Sequence, residues 1–240
     1  MNNFELAVKL IDIAKKYKTL YVMGCFGAPL TDENKKRYIN AQSFNQGNKR
    51  RAMINAASSD TFGFDCVCLI KGVLWGWNGD KNANYGGAKY ASNGVPDIGA
   101  DAMITKCKGV STDFKNIEVG EAVWMSGHIG IYIGNGLAVE CSPKWENKVQ
   151  ITACNCIKKG YNTRTWTKHG KLPYITYLPL GDINGDGQVT AADARLALRA
   201  AVKLEKLTAA QIFAGDMNGD GKITADDARL ITLKAVGKGK

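Results

Sequence analysis

Two near-copies of one segment, 34 residues apart, close this chain and constrain its last quarter more tightly than any other feature. Asp182 through Leu196 recurs as Asp216 through Leu230 with 11 of 15 positions identical. Each copy places oxygen-bearing side chains at loop positions 1, 3 and 5, a glycine at 6 and an acid at 12. That spacing wraps a hard cation such as calcium, with position 7 giving a backbone carbonyl. The first loop offers Asp182, Asn184, Asp186, the Gln188 carbonyl and Asp193; the second offers Asp216, Asn218, Asp220, the Lys222 carbonyl and Asp227. Thr190 and Thr224 stand at position 9, where a hydroxyl or a bridging water serves. Two bound calcium ions are expected. Without them a segment this small, with its carboxylates clustered, has too little core to fold well.

Position 12 is Asp, where helix–loop–helix calcium sensors use Glu. Pro179 and Gly181 precede the first loop, so neither loop is expected to have a leading helix, and a helical pattern follows each one. With these features, residues 179–240 resemble a type I-like dockerin, the module that plugs enzymes into cohesin-bearing scaffolds. The resemblance implies a cohesin partner contacted through Ala191 and Ala192 in one repeat and Ala225 and Asp226 in the other. A calcium-stabilised module with no partner is the alternative.

Residues 1–178 form the body. They hold 23 of the 32 Lys and Arg but 14 of the 22 Asp and Glu, so nearly all of the +10 charge lies there. Such a body suits a polyanion. Nucleic acid is the weaker choice, because the cluster Lys49-Arg50-Arg51 has no interleaved aromatics and no zinc-finger or helix-turn-helix pattern goes with it. No run approaches the roughly 18 apolar residues of a membrane span. Met1 to Tyr21 reads as an amphipathic helix rather than a secretion signal. The seven cysteines are an odd number and lack the paired spacing of zinc sites, so most are expected to be buried, reduced thiols.

One cysteine has a special setting. From Cys66 the run through Trp75 has the density of a buried helix, and Asp65 before it suits a helix start. A thiol in the first turn meets the positive end of the helix dipole, which is expected to lower its pKa. Only two histidines exist. His169 is expected to be structural; His128 opens a strand-like run to Asn135-Gly136, and the return run Leu137–Cys141 carries Glu140. A two-residue turn would set His128 and Glu140 on opposite faces of this hairpin. A three-residue loop or a bulge sets them on the same face, which is the expected arrangement.

Tyr21-x-x-Gly24, Asp65-Cys66-x-x-Leu69 and His128-Ile129-Gly130-Ile131-Tyr132-Ile133-Gly134 together resemble the NlpC-type, papain-like peptidases that cut bacterial peptidoglycan, phage and prophage lysins among them. The fold class expected is therefore α+β: a papain-like body followed by a small all-α calcium-loop module. The resemblance implies Cys66 as nucleophile, His128 as base and Glu140 as its orienter. Tyr21 would hold substrate or oxyanion, and Asp65 would do the same or cap the helix; the Cys66 N–H is the expected oxyanion donor. It implies a peptidoglycan hydrolase acting at the bacterial cell wall. Without a signal peptide, the route there is phage-type lysis or another non-standard export, whereas the dockerin-like segment suggests an extracellular scaffold. Cys68 is the second nucleophile candidate, and Lys144 an alternative partner for Glu140. The aromatic stretch after Trp75 suits either a sugar- or peptide-binding groove or a loop held by ring packing. A catalytically inert wall-binding body and a protein-directed protease or acyltransferase are the rival functions.

Overall fold

The structure is a computed structural model and describes residues 1–238. The last two residues of the expected 179–240 module lie outside these. Packing divides the chain into Lys9–Tyr174 and a second unit that joins Met1–Val8 to Ile175–Lys240. By packing, the two units meet in sequence at Tyr174/Ile175. Met1–Val8 belongs with the C-terminal unit because Asn2 bridges to Thr176 and the Asn3 amide donates to the Leu178 carbonyl at 3.2 Å.

The elements follow in order: α1 (Asn3–Lys16), β1 (Thr19–Tyr21), β2 (Phe26–Pro29), α2 (Asp32–Ala41), α3 (Ser43–Gln46), α4 (Asn48–Ala56), β3 (Phe62–Phe64) and α5 (Cys66–Leu74). After a long loop come α6 (Ala100–Lys106), β4 (Lys108–Ser111), β5 (Ala122–Met125), β6 (His128–Tyr132), β7 (Leu137–Cys141), β8 (Val149–Cys154), β9 (Thr163–Arg164) and β10 (Lys168–Lys171). The C-terminal unit holds α7 (Ala191–Ala201), α8 (Ala209–Gly215) and α9 (Ala225–Ala235).

Lys9–Tyr174 is a mixed α and β unit with two sheets. The smaller has the order β1-β3-β2; the larger has the order β4-β10-β5-β6-β7-β8-β9, with β6 in the middle. Strands β5 to β8 alternate in direction, each joined to the next by a short connection. Helix α5 is buried along its whole length and packs on β6 and β7 on one side and β2 on another. A helix apolar on every side but for Lys71, which pairs with Asp97, has to be enclosed. The loop after it is held by ring packing: Trp75 and Trp77 are both buried, Trp77 edge-on to Tyr17, Phe62 and Phe64 and Trp75 edge-on to Phe26. His169 is structural, as expected: its ring sits buried between the Glu121 carboxylate and the Asp113 carbonyl.

In the C-terminal unit α7 and α9 pack together around Ile183, Ala194, Ala197, Ala228 and Ile231. The expectation that neither loop has a leading helix is wrong for the second, since α8 runs directly into Asp216. Its start is fixed by a capping box: the Thr208 hydroxyl accepts from the Gln211 N–H, and the Gln211 side chain accepts from the Thr208 N–H at 2.9 Å. No described helix is long and apolar enough to cross a membrane.

Candidate functional site

The β6–β7 hairpin decides whether the histidine and the acid can meet. Ile131 pairs with Val139 and Tyr132 with Ala138, and Leu137 donates back to the Gly134 carbonyl, so the loop is the three residues Gly134-Asn135-Gly136. All three take left-handed backbone (φ 87°, 51° and 68°), which two glycines and an asparagine tolerate. This register brings His128 and Glu140 to one face, and His128 Nε2 lies 2.6 Å from Glu140 Oε2. The His128 ring is stacked nearly parallel on Trp166, with 5.4 Å between centroids. Nδ1 is left as the ring atom not committed to Glu140.

Glu140 is fully buried, and Arg164, rather than Lys144, neutralises it. The Arg164 guanidinium donates from Nε to both carboxylate oxygens at 3.1 Å and from a terminal nitrogen to Oε2 at 2.7 Å; Thr152 donates to Oε1 at 2.8 Å. Burial pushes this carboxyl up, but the hydrogen bonds from His128 and Arg164 outweigh it and hold the group below the usual carboxylate range. Lys144 lies instead over the Trp145 ring.

Cys66 is the first residue of α5, with Asp65 as its N-cap. Asp65 has the geometry of a helix cap: one carboxylate oxygen accepts from the Cys68 N–H and the other from the Gly24 N–H, each at 2.7 Å. Helix α5 packs on β6, and the Ile129 N–H, next in sequence to His128, is among the groups that work to lower the Cys66 pKa. The expected lowering of its pKa is reversed. Burial first, and the adjacent Asp65 carboxylate second, push the thiol up to about 12. A helix start favours thiolate only where solvent or a counter-charge stabilises it, and Cys66 is only 7% exposed. Cys68 is buried too, and burial likewise pushes its thiol well up.

Tyr21, Asp65, Cys66 and Gly127 line one cleft of about 540 Å³. Burial, then the neighbouring Cys66 and Asp65, raise the Tyr21 phenol, so it stands beside the thiol as a neutral hydroxyl. Arg50 lies over its ring at 5.2 Å and donates to its carbonyl at 2.7 Å. The turn leading into His128 is tied down by Asp101, whose Oδ1 accepts from the Gly127 N–H at 2.8 Å and from the Trp124 indole at 2.9 Å.

Sequence reasoning missed Arg164, Thr152, Trp166 and Asp101. Arg164 had a readable signal. A carboxylate inside an apolar strand requires a cation, and Arg164 is the single arginine between Arg51 and Arg195.

The calcium loops present the oxygen donors at the expected positions. Gly187 and Gly221, at position 6, have φ of 90° and 84°. Asp182, Asp193 and Asp227 are buried, yet none forms an ion pair with a cationic side chain among the described residues. Backbone N–H groups hold them instead: Asp182 accepts from Gly185 and Gly187, Asp193 from Ile183, Asn184 and Thr190, and Asp227 from Met217 and Thr224. Buried carboxylates without a cationic partner, near Asp186, Asp216 and Asp220, are oxygen donors of the kind a divalent cation takes, although among the described residues no three acidic side chains converge as a metal cage. Asn184 and Asn218 accept within their own loops from Asp186 and Asp220. The Thr190 and Thr224 hydroxyls are engaged in helix capping, donating to Asp193 at 3.2 Å and Asp227 at 2.9 Å. Ala191, Ala192, Ala225 and Asp226 are all exposed at the starts of α7 and α9.

Residues 180–233 match the family model for the dockerin type I domain. The match identifies that span with a family that generally binds calcium and implies a cohesin partner. No curated protein matches the chain.

Proposed function

We propose that Lys9–Tyr174 is a papain-like cysteine amidase of the peptidoglycan-cutting kind, and that the C-terminal unit binds two calcium ions and docks it on a cohesin-bearing scaffold. The observation that carries the reading is the hairpin register. It couples His128 to a buried, Arg-clamped Glu140, and His128 stands on β6, a strand against which α5 and its Cys66 pack.

With the thiol protonated at rest, His128 acts as general base during attack. As the Cys66 sulfur bonds to the amide carbonyl carbon, its proton passes to Nδ1, and the oxyanion takes the Cys66 N–H. The tetrahedral intermediate collapses, the C–N bond breaks, and the amine leaves with the proton from His128. Water then attacks the thioester while His128 removes one of its protons; the C–S bond breaks, the carboxylic acid leaves and ionises in solvent, and the His128 proton returns to sulfur. Glu140 holds the ring orientation and stabilises the imidazolium between steps. Cys66, His128 and Glu140 carry the chemistry, and Tyr21 faces the substrate. The basic body favours a wall substrate rich in carboxylate and phosphate.

The test is to incubate purified sacculi, in calcium, with the wild type and with Cys66→Ala, and to read new amine termini by mass spectrometry. New termini with the wild type alone are expected, and they name the amide cut. No release by either protein from several wall types would sink the hydrolase reading. Equal release by both would remove Cys66 from it.

A further inference from the structure

The cleft that holds Cys66 has an uneven charge arrangement. Asp65 is satisfied by two backbone N–H groups. Lys71 is buried and ion-paired with Asp97, whose second oxygen accepts from the Tyr90 hydroxyl at 2.8 Å. Arg37, on α2, lines the same cleft and has no carboxylate partner among the described residues. Nor is its side chain loosely placed: the guanidinium lies 5.1 Å from the Tyr85 ring centroid and 5.6 Å from that of Tyr38. The Tyr85 hydroxyl also interacts with this guanidinium, whose remaining N–H groups can still donate to a carboxylate. The cleft therefore carries one oriented cation that the protein leaves unmatched.

We infer that Arg37 is a specificity-determining residue that receives a free carboxylate on the substrate. The inference rests on the reading of Cys66 as the nucleophile, which makes this cleft the substrate's. For a wall peptide it selects stem peptides with a free α-carboxylate on their acidic residue over the α-carboxamide forms. The two have nearly the same shape, so discrimination comes from charge.

The probes are a synthetic stem peptide with a free glutamate α-carboxylate and its α-carboxamide twin. Both are titrated by calorimetry into the full chain carrying Cys66→Ala, in calcium, and both are offered to the wild type. The acid form is expected to bind about tenfold tighter, a charge-assisted contact discounted for its exposure. Adding Arg37→Gln should bring the ratio to about one through loss on the acid peptide, and Arg37→Lys should fall between. Equal affinity for the two peptides, no binding of either, or a preference that survives Arg37→Gln overturns the carboxylate site. Preferential binding without turnover by the wild type overturns the amidase reading and leaves the carboxylate site standing. Turnover of both peptides at one rate does the reverse.

Discussion

Replacing Arg164 with Met tests the electrostatics of the site most directly. Arg164 supplies three of the five hydrogen bonds that reach the Glu140 carboxylate, the others coming from His128 and Thr152. The glutamate side chain is 0% exposed and the arginine 11%. Removing one partner of a buried pair costs about 3–5 kcal/mol, and since His128 stays in contact we expect ~3 kcal/mol at pH 7. The pH dependence is the sharper signature. In the wild type the Glu140 pKa is depressed, so its contribution is present above the unfolded carboxyl's range and is lost as pH falls through the native value. In Arg164→Met, burial outweighs the remaining hydrogen bonds and the pKa moves up past its unfolded value. The sign then inverts: the deficit is largest at neutral pH and shrinks as the carboxyl protonates towards about pH 4. Urea unfolding followed by tryptophan fluorescence isolates the right unit, because all five tryptophans lie between residues 75 and 166. Glu140→Gln added to Arg164→Met should recover most of the loss at neutral pH. A deficit below ~1 kcal/mol, one that does not change with pH, or a double variant no better than the single would refute the argument.

Three further outcomes are expected. Alkylation of Cys66 by iodoacetamide, resolved by peptide mass spectrometry, should keep accelerating with pH up to at least about pH 10, because burial holds the thiol protonated; a plateau near pH 6 would mean a resting thiolate. Calorimetric titration should count two calcium ions per chain, and one after Asp186→Ala or Asp220→Ala, exposed position-5 ligands whose loss spares both helix caps; an unchanged count would clear these loops of the role. Asp101→Ala frees the turn ahead of His128 and should lower kcat about tenfold with little change in KM or in the circular dichroism spectrum, whereas a change in KM alone would place Asp101 elsewhere in the cycle.

What could be read from the sequence divides along a physical line. The calcium loops were legible because their ligands lie within twelve residues of one another, so spacing alone implies geometry. The His128–Glu140 pairing was legible for a related reason, since a hairpin's register follows from the length of its loop. Arg164 was not, because it reaches Glu140 across 24 residues of chain from a two-residue strand with no periodicity. Helix α8 went unread although Thr208-x-x-Gln211 announces it, its seven residues giving little apolar pattern to notice. The Cys66 pKa was read in the wrong direction because the helix dipole can be inferred from sequence, whereas the burial that outweighs it depends on how α5 packs.

Arg164 sits on β9, the outermost strand of the seven-stranded sheet, two residues long and paired only with β8, in parallel. Edge strands with few pairings open at small free energies, well before the sheet that carries them unfolds. Each such opening withdraws the guanidinium from Glu140 while β6 and β7 keep their pairing. On warming, the Glu140 carboxylate is therefore expected to lose its counter-charge in a local step of its own, at temperatures where the rest of the sheet is still intact.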